Sequence, residues 1–97
     1  SLFMNNEDNK MIITIIGADK IGIVAKITAI LAECEVNIED IKQSIMQDFF
    51  VMFMLAETSR TSLSFNEIKD KLTKAGEEMK MEIWVQKKAI FDKMHTI

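Results

Sequence analysis

Residues 11–22 read MIITIIGADKIG, and this stretch decides the fold. Its first half is rich in β-branched residues and predicts a strand from Lys10 to Gly17. An apolar pattern with helical spacing follows and predicts a helix from Lys20 to Glu35. A loop that leads from a strand into a helix presents backbone N–H groups at the positive end of the helix dipole. The stretch therefore predicts a loop that binds a small anion such as a carboxylate.

The same loop also has readings that need no ligand. Gly17 and Gly22 can serve positive φ angles and close packing between helix and strand. Asp19 is better placed as the N-cap of the first helix than as a direct ligand contact. Lys20 is either a solvated residue at the helix start or a group that steers an anion. These alternatives stay open on the sequence alone.

The remaining elements give the order β-α-β-β-α-β with a short C-terminal helix. Strands are predicted over 36–46, 49–57 and 81–86, with a tight turn at Gln47-Asp48 and a β-bulge near Glu39-Asp40. The second helix begins at Ser64, because Ser64-Phe65-Asn66-Glu67 matches a capping box. This order predicts an α+β fold, a ferredoxin-like plait with a four-stranded antiparallel sheet.

The first and third strands are apolar on both faces, so the sheet face away from the two helices needs a cover. We expect residues 1–9 to be a disordered or expression-derived tail and residues 10–88 to form the domain. Residues 89–97 are predicted to form a helix that packs on the sheet or on a partner. A homodimer is the assembly that this apolar face favours.

Composition narrows the function classes. The chain has 97 residues, enough for one domain, and a formal net charge of −3, which disfavours nucleic acid as a partner. Its apolar runs are too short to span a membrane. A single cysteine, Cys34, fits a reducing cytoplasm, and we read it as a buried core residue. We predict no metal, no cofactor and no enzymatic activity, because His95 lacks ligand partners and no nucleophile–base pair is evident.

Two further features keep a structural reading beside a functional one. Trp84 lies on the second sheet face and is better explained by interface packing than by base stacking. The acidic residues Glu33, Glu35, Glu39 and Asp40 cluster loosely, and a solvated surface explains them better than a catalytic carboxylate pair.

The chain resembles the ACT domain family. The resemblance rests on residues 17–25 (GADKIGIVA), on Leu31, on Asn37-Ile38, and on Ile41 and Gln43. It extends to the short stand-alone ACT proteins of bacteria and archaea and to the ACT domains of glycine cleavage regulators. The resemblance implies a homodimer with small-molecule pockets at subunit interfaces. The implied ligand-binding residues are Ala18, Asp19, Ile21, Gly22, Ile23 and Asn37, with Gly17 as a structural loop residue.

The function that follows is a regulatory module that senses an amino acid or related carboxylate as a homodimer. The alternative is a ligand-free interaction module that pairs with a metabolic enzyme or a transcriptional regulator. A small enzyme and an RNA-binding module are further readings on the same fold, since a fold alone does not set function.

Overall fold

The computed structural model describes residues 9–18 and 21–94. The predicted N-terminal tail up to residue 8, Asp19, Lys20 and His95 lie outside the described residues. The elements in chain order are β1 (Lys10–Gly17), α1 (Ile23–Glu33), β2 (Asn37–Met46), β3 (Phe49–Glu57), α2 (Phe65–Met79), β4 (Glu82–Lys87) and α3 (Lys88–Met94). This is the predicted βαββαβ order followed by a C-terminal helix, and the prediction of the fold is confirmed.

The four strands form one antiparallel sheet in the order β2-β3-β1-β4. The register between β2 and β3 shifts between Ile38 and Asp40, where the sequence predicted a bulge. The bulge is needed because Ile38 and Ile41 both face the helices, although they are an odd number of residues apart. Strands β2 and β4 are the two edges of the sheet.

Helices α1 and α2 cover one face of the sheet and form the core with it. The buried side chains alternate along β1, β3 and β4 and recur with helical spacing along α1 and α2. The largest fully buried side chains are Met11, Ile13, Ile15, Ile23, Ile27, Leu31, Met52, Met54, Ile68 and Leu72. Burial of this set is the main source of stability for a domain of this size.

The other sheet face, here called the open face, is only partly covered. Its apolar residues are Ile12, Ile16, Phe49, Val51, Phe53, Leu55 and Trp84. Helix α3 contacts β1 and β4, and Gln86 Nε2 donates a 3.8 Å hydrogen bond to Met94 Sδ. Phe53 and Trp84 stay 42% and 56% exposed, so the cover that the sequence demands is incomplete within one copy of the chain.

Several element bounds differ from the predictions by one to three residues, and the start of α1 is the most informative of these differences. Helix α1 begins at Ile23 and its N-cap is Gly22, so the expectation that Asp19 caps this helix is wrong. The backbone of Gly22 has a positive φ of 83°, which is not helical, so the helix begins at Ile23, where its apolar stripe also begins. The carbonyl of Asn9, just before β1, accepts hydrogen bonds from the N–H and the hydroxyl of Thr58. No helix among the described residues is long and apolar enough to cross a membrane.

Candidate functional site

The glycine loop comprises residues 17–22, and its described residues, 17, 18, 21 and 22, lie beside the turn that joins β2 to β3. Gly17 is the last residue of β1 and pairs with Phe50 near the start of β3. Because β1 and β3 are antiparallel, the end of β1 and the Gln47-Asp48 turn meet at the same end of the sheet. The described part of the loop and the hairpin tip therefore form one surface.

A cavity of about 300 Å³ lies on this surface, and we call it the loop cavity. Its walls are mainly apolar, since Ile21 is 84% exposed and Ile45 is 72% exposed. The residues that line it are Ala18, Ile21, Ile45, Gln47, Asp48, Phe49 and Phe50. Large apolar side chains that stay this exposed at a concave surface are typical of a binding site.

Gly22 sets the chemistry next to the loop cavity. It is the N-cap of α1, with φ 83° and ψ −22°, and it has no side chain with which to cap the helix. Its carbonyl accepts the first helical hydrogen bond, from Lys26 N at 2.9 Å. The N–H groups of the first turn have no partner within a helix, so they can meet water or an anionic ligand.

The two loop glycines are there for different reasons. A Cβ added to Gly22 would meet nothing nearer than Met79 Cε at 3.9 Å, so packing does not demand glycine there and the positive φ does. A Cβ added to Gly17 would clash with the Sδ end of the Met81 side chain, which is flexible and can move aside. Of the two readings that the sequence left open, backbone conformation accounts for Gly22, whereas the packing at Gly17 is against a movable side chain and does not by itself demand glycine.

The structure brings together only part of the predicted site. Ala18 and Ile21 line the loop cavity and Gly22 lies at the helix start, whereas Asp19 is outside the described residues. The side chain of Ile23 is fully buried, so only its backbone N–H is suited to contact a ligand.

Asn37 lies at the opposite end of β2 from the loop cavity. It pairs with Glu57, which also pairs with Lys10 at the start of β1, and it is exposed. Asn37 and Ile45 are separated by about 25 Å along the strand at the usual rise per residue. Within one copy of the chain, Asn37 therefore cannot reach a ligand at the glycine loop.

The hairpin residues Ile45, Gln47, Asp48 and Phe49 were missed as site residues by the sequence reasoning. The signal was available, because antiparallel pairing of the strands predicted over 10–17 and 49–57 places the end of one beside the start of the other. Ile45 was assigned only to a strand, and its exposure became evident once the helices were seen to leave the end of β2 uncovered.

The other chemical groups behave as structural or surface residues. Burial raises the pKa of the Cys34 thiol, which Lys71 partly offsets, so the inert reading of this cysteine fits its place in the core. Glu39 forms a 2.9 Å ion pair with Lys10, and Asp40 Oδ1 accepts a 2.9 Å hydrogen bond from Ile41 N. In the described part of the chain, no three acidic, cysteine or histidine residues are grouped to hold a metal ion.

Relatives with similar sequences support one family. The model of the ACT domain matches residues 9–86. A UPF0237 protein of Clostridium acetobutylicum is 43% identical over 88 residues, covering 91% of this chain and 99% of its own length. A UPF0237 protein of Methanococcus maripaludis is 46% identical over 87 residues, covering 90% and 97%.

Solved structures lead to the same fold. An ACT domain protein from Streptococcus pneumoniae superposes with a TM-score of 0.74 at 32% identity, over 91% of this chain and 96% of that one. A formyltetrahydrofolate deformylase from Pseudomonas syringae gives a TM-score of 0.71 at 20% identity, over 79% of this chain and 26% of its own, and it shows the fold alone. The sheet order, the glycine-capped first helix and the match over residues 9–86 agree: this chain belongs to the ACT domain family.

Proposed function

We propose that this ACT domain is a regulatory module that binds an amino acid or a related small carboxylate at the glycine loop and acts as a homodimer. The observation that carries the proposal is the loop cavity of about 300 Å³ beside a helix start that has no side-chain cap. A cavity of this volume matches the lower end of the range for small-ligand sites.

The chemistry of the surface fits an amphipathic anion. The first-turn N–H groups of α1 suit a carboxylate, because the N-terminus of a helix favours negative charge. The exposed side chains of Ile21, Ile45 and Phe49 suit the apolar part of the same molecule. The carboxyl group of Asp48, at the rim of the loop cavity, suits an α-ammonium group.

A second copy of the chain would bring Asn37 into the site. Strand β2 is an edge strand, and residues 39–46 are all exposed. If two copies pair their β2 strands antiparallel along the full length, Asn37 of one copy lies opposite Met46 of the other. The partner's Asn37 then stands next to the loop cavity, and the site needs both copies to be complete.

A thermal unfolding screen tests ligand binding. Glycine, other amino acids and one-carbon carboxylates such as formate form the panel, because the deformylase with this fold handles a formyl compound. A ligand at about 100 times its dissociation constant adds roughly 2.7 kcal/mol, or several degrees for this size. Asn37→Ala should abolish the shift, whereas Thr73→Ala, on the exposed side of α2, should retain it. A full panel without any shift would contradict the sensor function.

Light scattering tests the assembly separately. Ile41→Lys places like charges next to each other at the centre of a paired β2 edge and should produce a monomer. Thr73→Lys adds the same charge on the exposed side of α2 and should leave the mass unchanged. A wild-type chain that is monomeric at every concentration would contradict the homodimer, whatever the ligand screen finds.

One observation favours the ligand-free interaction module as a second candidate. Phe49, Phe53 and Trp84 leave an apolar area on the open face that α3 does not cover. An exposed area of this kind marks a protein-binding surface in many domains. Phe53→Asp would then abolish capture of a cytosolic protein partner and leave any ligand-induced thermal shift intact.

A further inference from the structure

We propose a second small-molecule site at the β4 edge of the sheet, suited to an organic anion with an apolar body. The site is a cavity of about 500 Å³, here called the edge cavity, between α2, β4 and α3. It does not depend on the loop cavity. The end of β4 at Lys87 pairs with Met11, whereas the glycine loop follows Gly17 at the other end of β1.

Three elements converge on the edge cavity. Helix α2 contributes its first turns, β4 contributes its last residues, and α3 contributes Ile90. Strand β4 is an edge strand, so its outer side is open to solvent or to a ligand rather than to another strand of the sheet. The volume of about 500 Å³ lies within the range of ordinary ligand sites.

The charge of the edge cavity contrasts with that of the chain. The formal net charge is −3, yet the charged residues that line this cavity are Lys69 and Lys87. No carboxylate is among the lining residues that the structure describes. Two ammonium groups without a lining acid favour an anionic ligand.

The position of Lys87 is set by an aromatic ring. Its Nζ lies 5.5 Å from the centroid of the Phe65 ring, a cation–π distance. The same two side chains also line a smaller neighbouring cavity of about 220 Å³. The contact favours a conformation in which the ammonium group stays beside Phe65, a residue of the edge cavity lining, and this lowers the loss of side-chain freedom when the ammonium group pairs with an anion.

The floor of the edge cavity is apolar. Val85 is 5% exposed and belongs to the core, Phe65 is half-buried, and Ile90 is 53% exposed. Asn66 and Gln86 add amide groups at the rim. An inorganic anion would use only the lysines and the amide donors, whereas an organic anion with an aromatic or aliphatic body would also cover Ile90 and Phe65.

Binding at this site would also involve α3. Among its described residues α3 has no buried side chain, and Ile90 is its contribution to the edge cavity. A ligand that covers Ile90 stabilises the docked helix, and docked α3 lies against β1 and β4. Occupancy of the edge cavity should therefore slow amide hydrogen exchange in residues 88–94.

Amide NMR shifts of the full chain, titrated with 4-phenylbutyrate, test the proposal. We expect the largest shifts at Phe65, Lys87 and Ile90, and weaker binding of both acetate and the uncharged 4-phenylbutanamide. Shifts concentrated at Phe53 and Trp84 would overturn the proposal, because the ligand would then be on the open face. Equal affinity for the amide would overturn the role of charge.

A charge-matched pair of variants completes the test. Lys69→Gln with Lys87→Gln should weaken 4-phenylbutyrate binding about tenfold, as expected from the loss of two partly exposed charge contacts. Lys71→Gln with Lys74→Gln removes the same charge away from the cavity and should retain the wild-type affinity. Equal weakening in both double variants would show that only net charge matters and would overturn the site.

Discussion

The two helices that cover the sheet begin in opposite ways. Helix α2 is closed by its own side chains: Ser64 Oγ accepts from Glu67 N at 3.1 Å, and Glu67 Oε1 accepts from Ser64 N at 3.0 Å. Helix α1 starts at Gly22, which has no side chain and a φ of 83°. The first N–H groups of both helices need hydrogen-bond partners; among the described residues, a side chain of the N-cap supplies one for α2, and the N-cap of α1 supplies none.

The ends of the same helices show that the chain does not place glycine at every position with a positive φ. Glu35 and Lys80 follow α1 and α2 with φ 59°, and Gln47 in the hairpin turn has φ 53°. Glycine is common at such positions, yet all three are ordinary L residues. In the described chain, Gly22 is the only glycine with positive φ. The chain therefore has ordinary residues with positive φ at the helix ends and in the hairpin turn, and it has glycine at the positive-φ position next to the loop cavity.

The largest expected effect is from Gly22→Val. A β-branched residue at positive φ should destabilise the fold by about 2 kcal/mol, since a left-handed conformation costs an L residue roughly 1–2 kcal/mol. This corresponds to a decrease in Tm of about 10 °C in calorimetry. Gly22→Asn is the matched control, because asparagine adopts this conformation more easily, and its loss should be clearly smaller. Equal stability of Val and Gly would show that the glycine-capped start is not required.

Next in size is the removal of the side-chain cap from α2. Ser64→Ala deletes the hydroxyl that accepts from Glu67 N and should cost about 1 kcal/mol of unfolding free energy. Ser62→Ala, a serine removed from the same loop, should change stability much less. Urea unfolding measures both. If Ser64→Ala had no effect, the two helix starts would be energetically alike and the contrast between them would lose its meaning.

The opposite sign is expected at the end of α2. Lys80 has φ 59° and ψ 43°, and its N–H donates to the carbonyls of Glu77 and Gly76. Lys80→Gly retains these bonds and removes the strain, so it should stabilise the fold by about 0.5–1 kcal/mol. Lys74→Gly, inside the same helix, should instead destabilise by about 1 kcal/mol. A destabilised Lys80→Gly would mean that the lysine side chain has a role here that outweighs its strain.

The sequence predicted the capped helix better than the open one. The capping box of Ser64 and Glu67 is recognisable from the residue types and their spacing alone. Strands β1 and β3 were predicted with the bounds that the structure has. The start of α1 was predicted three residues too early, at Lys20, because Asp19 suits an N-cap by residue type, whereas the backbone of Gly22 is not helical and the helix begins at Ile23. The apolar spacing in the sequence indicates which face of a helix is buried. The residue at which the helix begins depends on the positive φ of Gly22, and the conformation of the loop determines that angle.

The candidate site was half predictable for the same reason. Ala18, Ile21 and Gly22 belong to the loop, and local sequence marked them. Ile45 and Phe49 line the loop cavity because β3 pairs with β1, which is distant in sequence, so finding them requires the predicted strands to be paired and not a local motif. Asn37 came from family resemblance and lies at the far end of β2, so its role rests on a second copy of the chain.

The smallest expected effect is the pH dependence of the α2 cap. Hydrogen bonds from the backbone and the hydroxyl of Ser64 lower the pKa of Glu67 below its ordinary 4.5. A lowered pKa in the folded state means that the stabilisation is complete above the unfolded-state pKa and is lost as the pH falls through the folded-state pKa.

Glu67→Gln retains an acceptor for the Ser64 N–H but does not titrate. The wild type should therefore be more stable than this variant at about pH 6 and should lose that advantage by about pH 3. Urea unfolding at both values measures it, with Glu78→Gln at the other end of α2 as the control. A difference that stays constant with pH would show that the carboxylate charge has no part in closing α2, and that only the geometry of the cap distinguishes it from α1.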